Sequence, residues 1–574
     1  MQPFKSLAFA LALVGCAGQG TGPATLAPAP SALHSEFNAV DADNTMYGPF
    51  LAATLAQQNE QHASAAHYFL EALNADPESD FVADRAFFQL LYAGRMDEAA
   101  SLAVKMQHSP NPAQDDLLHL MYVLEAYKNE NWQVVRERLK EQQGAGYGFL
   151  VTPILEAWSY AAENNLVAAS KALAPLINDP RLGVIGQEHY AYILDHLGRY
   201  DAASTAYQTL ADDERPASLQ PLVAYADMLT RTGKEQAARE FLGEQTKRFG
   251  DNRFLLREGM RITGGFGPSQ DATNPRGAAG LVFYRLATEF AQSRSQQAAI
   301  VYLRVASYLT PEVSEIYFLL GNLLEQIDTP ESAVSAYATV PQTSPLKPLA
   351  ELRRIGALRS AGRDDEAEAL LRAALRDAPH SSAHLSALAD LLRDAEKFEE
   401  AVHYYSQAIG QIRSAEQSDW FIFFARGVCY ERLGNWQQAE ADLKTALQLN
   451  PGEASVLNYL GYSWIDRGKN IDEAKAMIEQ AVEEQPDDGF IIDSLGWVHY
   501  LTGDYHAAVE YLEQAVRLEP TDPTINDHLG DAYWRVGRRI EARFQWRHAM
   551  DNGPSDDERK SLKEKLELGL EEPS

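Results

Sequence analysis

Apolar and small residues recur along this chain with the spacing of a helical face, and glycine and proline punctuate them at a regular interval. From Trp420 to Glu453, Gly427 and Tyr430 share a face of one expected helix, while Ala439, Leu443 and Ala446 fall at i, i+4 and i+7 of a second. Gly434 and Asn435 supply the turn between them. Pro451 ends the second helix because it has no N–H to donate and clashes with the preceding turn. The arrangement returns at Gly427, Gly461, Gly496 and Gly530, at steps of 34, 35 and 34 residues, and each glycine is followed 24 or 25 residues later by Pro451, Pro486, Pro520 or Pro554. Such a period marks a solenoid of helical hairpins, each of which completes its core by stacking on its neighbours. No alternating strand pattern of useful length competes with it, so the expected fold class is all-α.

The pattern resembles the tetratricopeptide repeat (TPR), whose consensus places Gly or Ala, a large residue, Ala, an aromatic or Leu, Ala and Pro at these positions. That resemblance implies a superhelical solenoid of helix-turn-helix repeats. Among the last four units the frame slips once, at Arg467-Gly468-Lys469-Asn470, where a surface turn absorbs one extra residue cheaply. Earlier units beginning near Ser382, Pro348, Ser314 and Gly280 keep Ala401, Ala367, Ala333 and Ala299 at the second-helix alanine position. The step from Ala401 to Ala439 is 38 residues, which places the surplus in the polar stretch Gln411 to Ser418. Eight units are thus expected over 280–556. Ser555 and Glu558 read as a capping box that opens a last amphipathic helix with Leu562, Leu566 and Leu570, and 557–574 as a capping helix and tail.

The N-terminal half carries the same signal in weaker form. Ala65, Phe69, Ala72 and Pro77 reproduce a second helix and its terminator, Ala99 and Ala203 recur in similar settings, and Ala226, Leu229, Ala238 and Leu242 fit another unit. Roughly five or six degenerate units are expected in an array over 46–262. A glycine-rich stretch, 263–279, separates the two arrays and reads as a linker or protruding loop, or alternatively as a poorly conforming repeat.

At the start of the chain a short cationic segment, Met1 to Lys5, precedes an apolar run, Leu7 to Val14, that is too short to span a bilayer. Leu13-Val14-Gly15-Cys16 resembles a bacterial lipobox. The resemblance implies that residues 1–15 are a signal peptide and that Cys16 carries the lipid, with several acyl chains anchoring the protein at about 0.8 kcal/mol per buried CH₂. An ordinary secretory peptide followed by a chance cysteine is the alternative. Ala17, rather than Asp, is similar to lipoproteins sorted to the outer membrane, so in a Gram-negative host the chain would face the periplasm. Residues 16–45, rich in Ala, Gly, Pro, Thr and Ser, read as a flexible tether with a span of about 30 Å.

Composition alters this picture little. Hydrophobic residues make up 45% and charged residues 23% of 574, enough for a continuous elongated core. The formal charge of −31 argues against nucleic acid and anionic lipid surfaces as partners and favours proteins with basic patches. Cys429, the second of two cysteines, reads as a small core residue. There is no His-Glu-x-x-His, phosphate loop, Gly-x-Ser-x-Gly or Cys-x-x-Cys, and 81 acids spread over helix faces single out no catalytic pair. The expectation is a non-enzymatic protein with no cofactor, metal or small-molecule substrate.

In tetratricopeptide repeats the first-helix residues three before and one after the Gly or Ala position commonly line a peptide-binding groove. The resemblance carries this role to Asn458 and Tyr462, Asp493 and Trp497, and Asp527 and Asp531, with Trp534 and Arg535 one turn further on. Arrays that grip an acidic tail use Lys and Asn at comparable sites, and the Lys is missing here. Trp497 and Trp534 suit stacking on apolar or cationic side chains; the alternative is that these residues mend packing between successive hairpins. The segments Asn458-Tyr-Leu-Gly-Tyr-Ser-Trp464, Asp493-Ser-Leu-Gly-Trp497 and Asn526-Asp-His-Leu-Gly530 resemble a proteobacterial family of TPR lipoproteins, one of which is an outer-membrane adaptor that binds and activates a periplasmic carboxyl-terminal processing protease directed at peptidoglycan hydrolases. The implied partners are periplasmic or envelope proteins, such a protease among them. Two other roles stay open, a scaffold in envelope export or outer-membrane assembly and a chaperone of outer-membrane proteins.

Overall fold

A computed structural model describes residues 46–59, 61–107, 112–141, 148–213, 218–250, 252–268, 271–293 and 295–571. The expected signal peptide, Cys16 and the expected tether fall outside the described residues. Among those described there are thirty α-helices and no strands. No described helix is long and apolar enough to cross a membrane.

The chain divides into two compact units, one ending at Gly362 and the other beginning at Arg363. The glycine-rich stretch expected as a boundary lies inside the first unit, and its last residues open the helix Pro275–Gln292, which Asn274 caps through its side chain. The division falls instead at a hairpin turn within the repeat that starts near Pro348, where the 34-residue period runs on without interruption.

In the unit from Arg363 onward, each repeat buries the same small residues. Ala367, Ala401, Ala439, Ala474, Ala508 and Ala542 are fully buried, because the second helix presses its backbone against the first at this position. The first-helix glycines are matched to what faces them. A Cβ on Gly427 would lie 3.2 Å from Leu443 Cγ, one on Gly496 would lie 2.7 Å from Leu512 Cγ, and one on Gly530 would lie 2.5 Å from the Trp546 ring. Continuous cores join consecutive repeats. Leu443, Val456, Leu460, Trp464, Ile478, Leu495 and Val498 form one such core across three hairpins, and each large side chain removed from water contributes about 1.5–3 kcal/mol. Cys429 is fully buried, and burial pushes its thiol up to about 12, so it behaves as an inert core residue.

In the unit ending at Gly362, the twelve helices from Tyr47 to Arg248 pair into six hairpins. A thirteenth helix, Arg253–Thr263, has no hairpin partner of its own and packs on the hairpin before it. The array then returns on itself. The helix Pro275–Gln292 packs on Gly148–Ala161, and Gln296–Leu309 packs on Asp80–Ala93 and Met96–Met106. Polar links close these contacts. Tyr127 donates its hydroxyl to the Pro275 carbonyl at 2.9 Å, Arg276 donates to the Lys128 carbonyl at 2.7 Å, and Arg285 pairs with the buried carboxylate of Glu188.

Candidate interaction site

Successive first helices of the C-terminal repeats, Ala454–Asp466, Gly489–Leu501 and Pro523–Arg535, place the predicted groove residues on one continuous face. Asp493 is buried and accepts from His528 Nδ1 at 2.9 and 3.0 Å. Burial alone would push His528 down, but the Asp493 carboxylate, helped by Asp527 and Asp531, outweighs it and holds the imidazole above its ordinary value. Trp497 is half-buried and stacks on both His528, at 3.9 Å between ring centroids, and Tyr500, at 4.6 Å. Tyr500 in turn accepts from Arg535 Nε at 3.2 Å. At the upstream end Tyr462 is half-buried; burial, then the charges of Asp493 and Asp466, push its hydroxyl up to about 12. Beside it the amide oxygen of Asn458 is buried with no hydrogen-bond partner.

The chain's own C-terminal segment covers the downstream end of this face. Ser555 and Glu558 form a reciprocal capping box that starts the helix Asp556–Leu568. From it Lys565 Nζ reaches Asp527 at 2.7 Å and Asp531 at 2.9 Å, while Trp546 Nε1 donates to Asp531 at 2.9 Å. Two carboxylates share one ammonium here. Burial opposes the charge on Lys565, yet the two acids carry its pKa above the usual lysine value; burial likewise lifts Asp531. The Trp534 indole donates to the Leu570 carbonyl at 3.2 Å and lies directly against Gly569. Arg535 donates to the Glu571 carbonyl at 2.6 Å. Asp527, Asp531, Trp534 and Arg535, expected as groove residues, are therefore engaged by the chain itself. Asn458 keeps an amide oxygen with no hydrogen-bond partner beside half-buried Tyr462, whereas the Trp497 ring is already stacked on His528 and Tyr500.

Residues 279–553 match the tetratricopeptide repeat family. This chain carries a tetratricopeptide repeat array. Over 201 residues it is 32% identical to a TPR repeat-containing protein of Pseudomonas aeruginosa, a match that covers 35% of this chain and 33% of that relative. Over 53 residues it is 45% identical to a lipoprotein NlpI homolog of Haemophilus influenzae, covering 9% of this chain and 16% of the homolog. The chain thus spans about a third or less of the length of these relatives. Among solved structures, the APC/C hetero-tetramer Cut9-Hcn1 aligns over 92% of this chain and 96% of its own, at 14% identity and a TM-score of 0.40.

The TPR array is a protein-interaction scaffold of a kind that is typically non-catalytic. No group of three or more metal-ligating side chains occurs among the described residues. Three members of the site escaped sequence reasoning: His528, Lys565 and Tyr500. For His528 a usable signal was present, since it lies 35 residues after Asp493. One repeat length separates His528 from Asp493, so charge complementarity at that offset points to this pair, whereas Lys565 comes from a helix outside the repeat frame and also meets Asp527, 38 residues away.

Proposed function

We propose that this protein is a non-catalytic adaptor of the cell envelope, held at the outer membrane by a lipid on Cys16 and facing the periplasm, which binds an extended segment of a partner across Asn458, Tyr462 and Trp497. The observation that carries this reading is the Asn458 amide oxygen left without a hydrogen-bond partner on the face that half-buried Tyr462 and Trp497 share. A peptide backbone N–H meets the first, and apolar or cationic side chains meet the Tyr462 ring and the exposed edge of Trp497. Local similarity to a lipoprotein NlpI homolog supports the envelope setting, as does the similarity of 89 residues, at 33% identity, to bacteriophage adsorption protein A of Escherichia coli. A carboxyl-terminal processing protease is the first partner to test.

The test is a cross-linked pull-down of the full-length protein from detergent-solubilised envelopes, quantified by mass spectrometry against Trp497→Ala and Asn458→Ala. A near-stoichiometric processing protease, reduced at least fivefold by either substitution, supports the adaptor and its site. Export subunits or β-barrel proteins in place of a protease would make the protein an assembly scaffold instead. Recovery in the aqueous phase after detergent partitioning, unaffected by Cys16→Ser, would overturn the lipid anchor.

A further inference from the structure

The last complete hairpin departs from its predecessors on the outer side of its second helix, Arg539–Asp551. Arg539, Arg543 and Arg547 lie at i, i+4 and i+8, and so share one stripe of this helix. Ile540 and Phe544 form the adjacent stripe, 84% and 67% exposed. Among the described residues no carboxylate lies within ion-pair distance of these three arginines; Arg539 and Arg543 rest against the Trp534 ring at 5.0 and 4.9 Å. The only acid near the start of the helix, Glu541, is taken by Arg538.

Comparison with the other repeats shows that the repeat frame does not require this surface. Taking the buried alanine as origin, Ile540 and Phe544 correspond to His506 and Glu510 one repeat earlier and to Asp472 and Ala476 two repeats earlier. The three arginines correspond to Tyr505, Val509 and Glu513 in the first case and to Ile471, Lys475 and Glu479 in the second. No preceding repeat presents three cations in a row, and none places two large apolar groups beside such a stripe, although the chain as a whole carries a formal charge of −31.

We propose that this double stripe docks an acidic amphipathic helix of a partner protein, whose carboxylates at four-residue spacing meet Arg539, Arg543 and Arg547 while its neighbouring apolar residues cover Ile540 and Phe544. The spacing of both stripes is that of a helix, so a helix laid alongside satisfies both at once. A helix of this kind touches only these two stripes and stays clear of the acidic remainder. An anionic bilayer would bring a broad charged plane within a Debye length, about 8 Å, of the strongly acidic remainder, and is disfavoured for that reason. The surface is separate from the Asn458–Trp497 face, and its use does not depend on the lipid anchor.

The probe is a fluorescein-labelled 18-residue helical peptide with Glu and Leu in adjacent i, i+4 stripes, titrated with the full chain by anisotropy. A scrambled peptide of equal composition and phosphatidylglycerol vesicles serve as the other two arms. Expected are saturable binding of the patterned peptide, a loss of at least tenfold with Arg547→Glu and at least fivefold with Phe544→Ser, and recovery of Arg547→Glu binding by a peptide whose facing Glu is changed to Lys. Equal affinity for the scrambled peptide, no effect of either substitution, or binding to the vesicles in preference to the peptide would each overturn the proposal. Both substituted positions are exposed, so folding is retained.

Discussion

The stretch up to Gly362 and the stretch from Arg363 onward are built from the same helical hairpin but are tied together in different ways. In the second, side-chain links run between neighbouring repeats, as from Lys565 to Asp527, 38 residues away. In the first, a hydrogen bond joins Tyr127 to Pro275, 148 positions away, and the Arg304 guanidinium lies against Gly94, 210 positions away. Buried carboxylates occur in both stretches, Asp493 and Asp531 in the second and Glu188 and Asp195 in the first. Glu188 and Asp195 are almost wholly buried, and burial raises both carboxyls above their usual range despite Arg285 and Arg231 beside them. A repeat array in contact only with its neighbours melts in segments, whereas one closed by distant contacts loses its parts together.

The sharpest way to break this comparison is to destabilise each stretch by a similar amount and see how far the damage travels. Trp546 is fully buried and hydrogen-bonded to Asp531, so Trp546→Ala costs about 3–5 kcal/mol. Hydrogen exchange should then accelerate in the hairpins between Tyr505 and Leu568 and little elsewhere. Arg285→Ala leaves the Glu188 carboxylate buried without its partner, at a cost of about 3 kcal/mol. Here exchange should rise together in Asp80–Ala93, Gly148–Ala161 and Pro275–Gln292. If the effect of Arg285→Ala stayed within 275–309, the two stretches would not differ as described.

A smaller effect concerns pH in the second stretch. The folded pKa of His528 is raised, so its stabilisation is fully present below the unfolded value of about 6.5 and is lost as pH rises through the folded value. His528→Gln should therefore cost about 1.5–3 kcal/mol at pH 6, the worth of a charge-assisted hydrogen bond, and distinctly less at pH 9. Urea titrations of the full chain, followed by exchange in Gly489–Leu501, measure this; an equal cost at both values would mean that the imidazole does not titrate in this range.

The smallest expected effect is a gain. Gly434 and Gly503 make their hairpin turns at φ of +75° and +83°, and in the repeat before Gly434 the corresponding residue is Glu396, at +58°. Glu396→Gly relieves a left-handed side chain and should add about 0.5–1 kcal/mol, read as a later urea midpoint for Ser382–Asp394. An earlier midpoint would show that the glutamate has a compensating interaction.

How much of this was legible in the sequence follows the same division. Where a repeat touches only its neighbours, one period determines both the helices and their faces, and Gly427, Ala439 and Pro451 were enough to place the hairpin Trp420–Leu449. In the first stretch, residues such as Tyr127 and Glu188 answer to partners that no 34-residue frame relates to them, and the signal fades accordingly. The candidate site was legible by position but not by occupancy. Sequence placed Asp527, Asp531, Trp534 and Arg535 together on one helix face; it did not reveal that Lys565, Gly569 and Glu571 of the same chain lie over them, because that depends on how a helix outside the repeat frame docks.

The fit between each first-helix glycine and the residue facing it also bears on how such an array ages. A methyl group added at Gly427 would lie 3.2 Å from Leu443 Cγ and 3.3 Å from the Ala439 carbonyl oxygen, a tight contact that a shift of a few tenths of an ångström relieves. Opposite the Trp546 ring, the same methyl at Gly530 has nowhere to go. Acquiring the ring is thus a one-way step for its lineage: the repeat that takes an aromatic there forfeits the freedom of its glycine, and mutation must afterwards be spent on the turns and the outer faces.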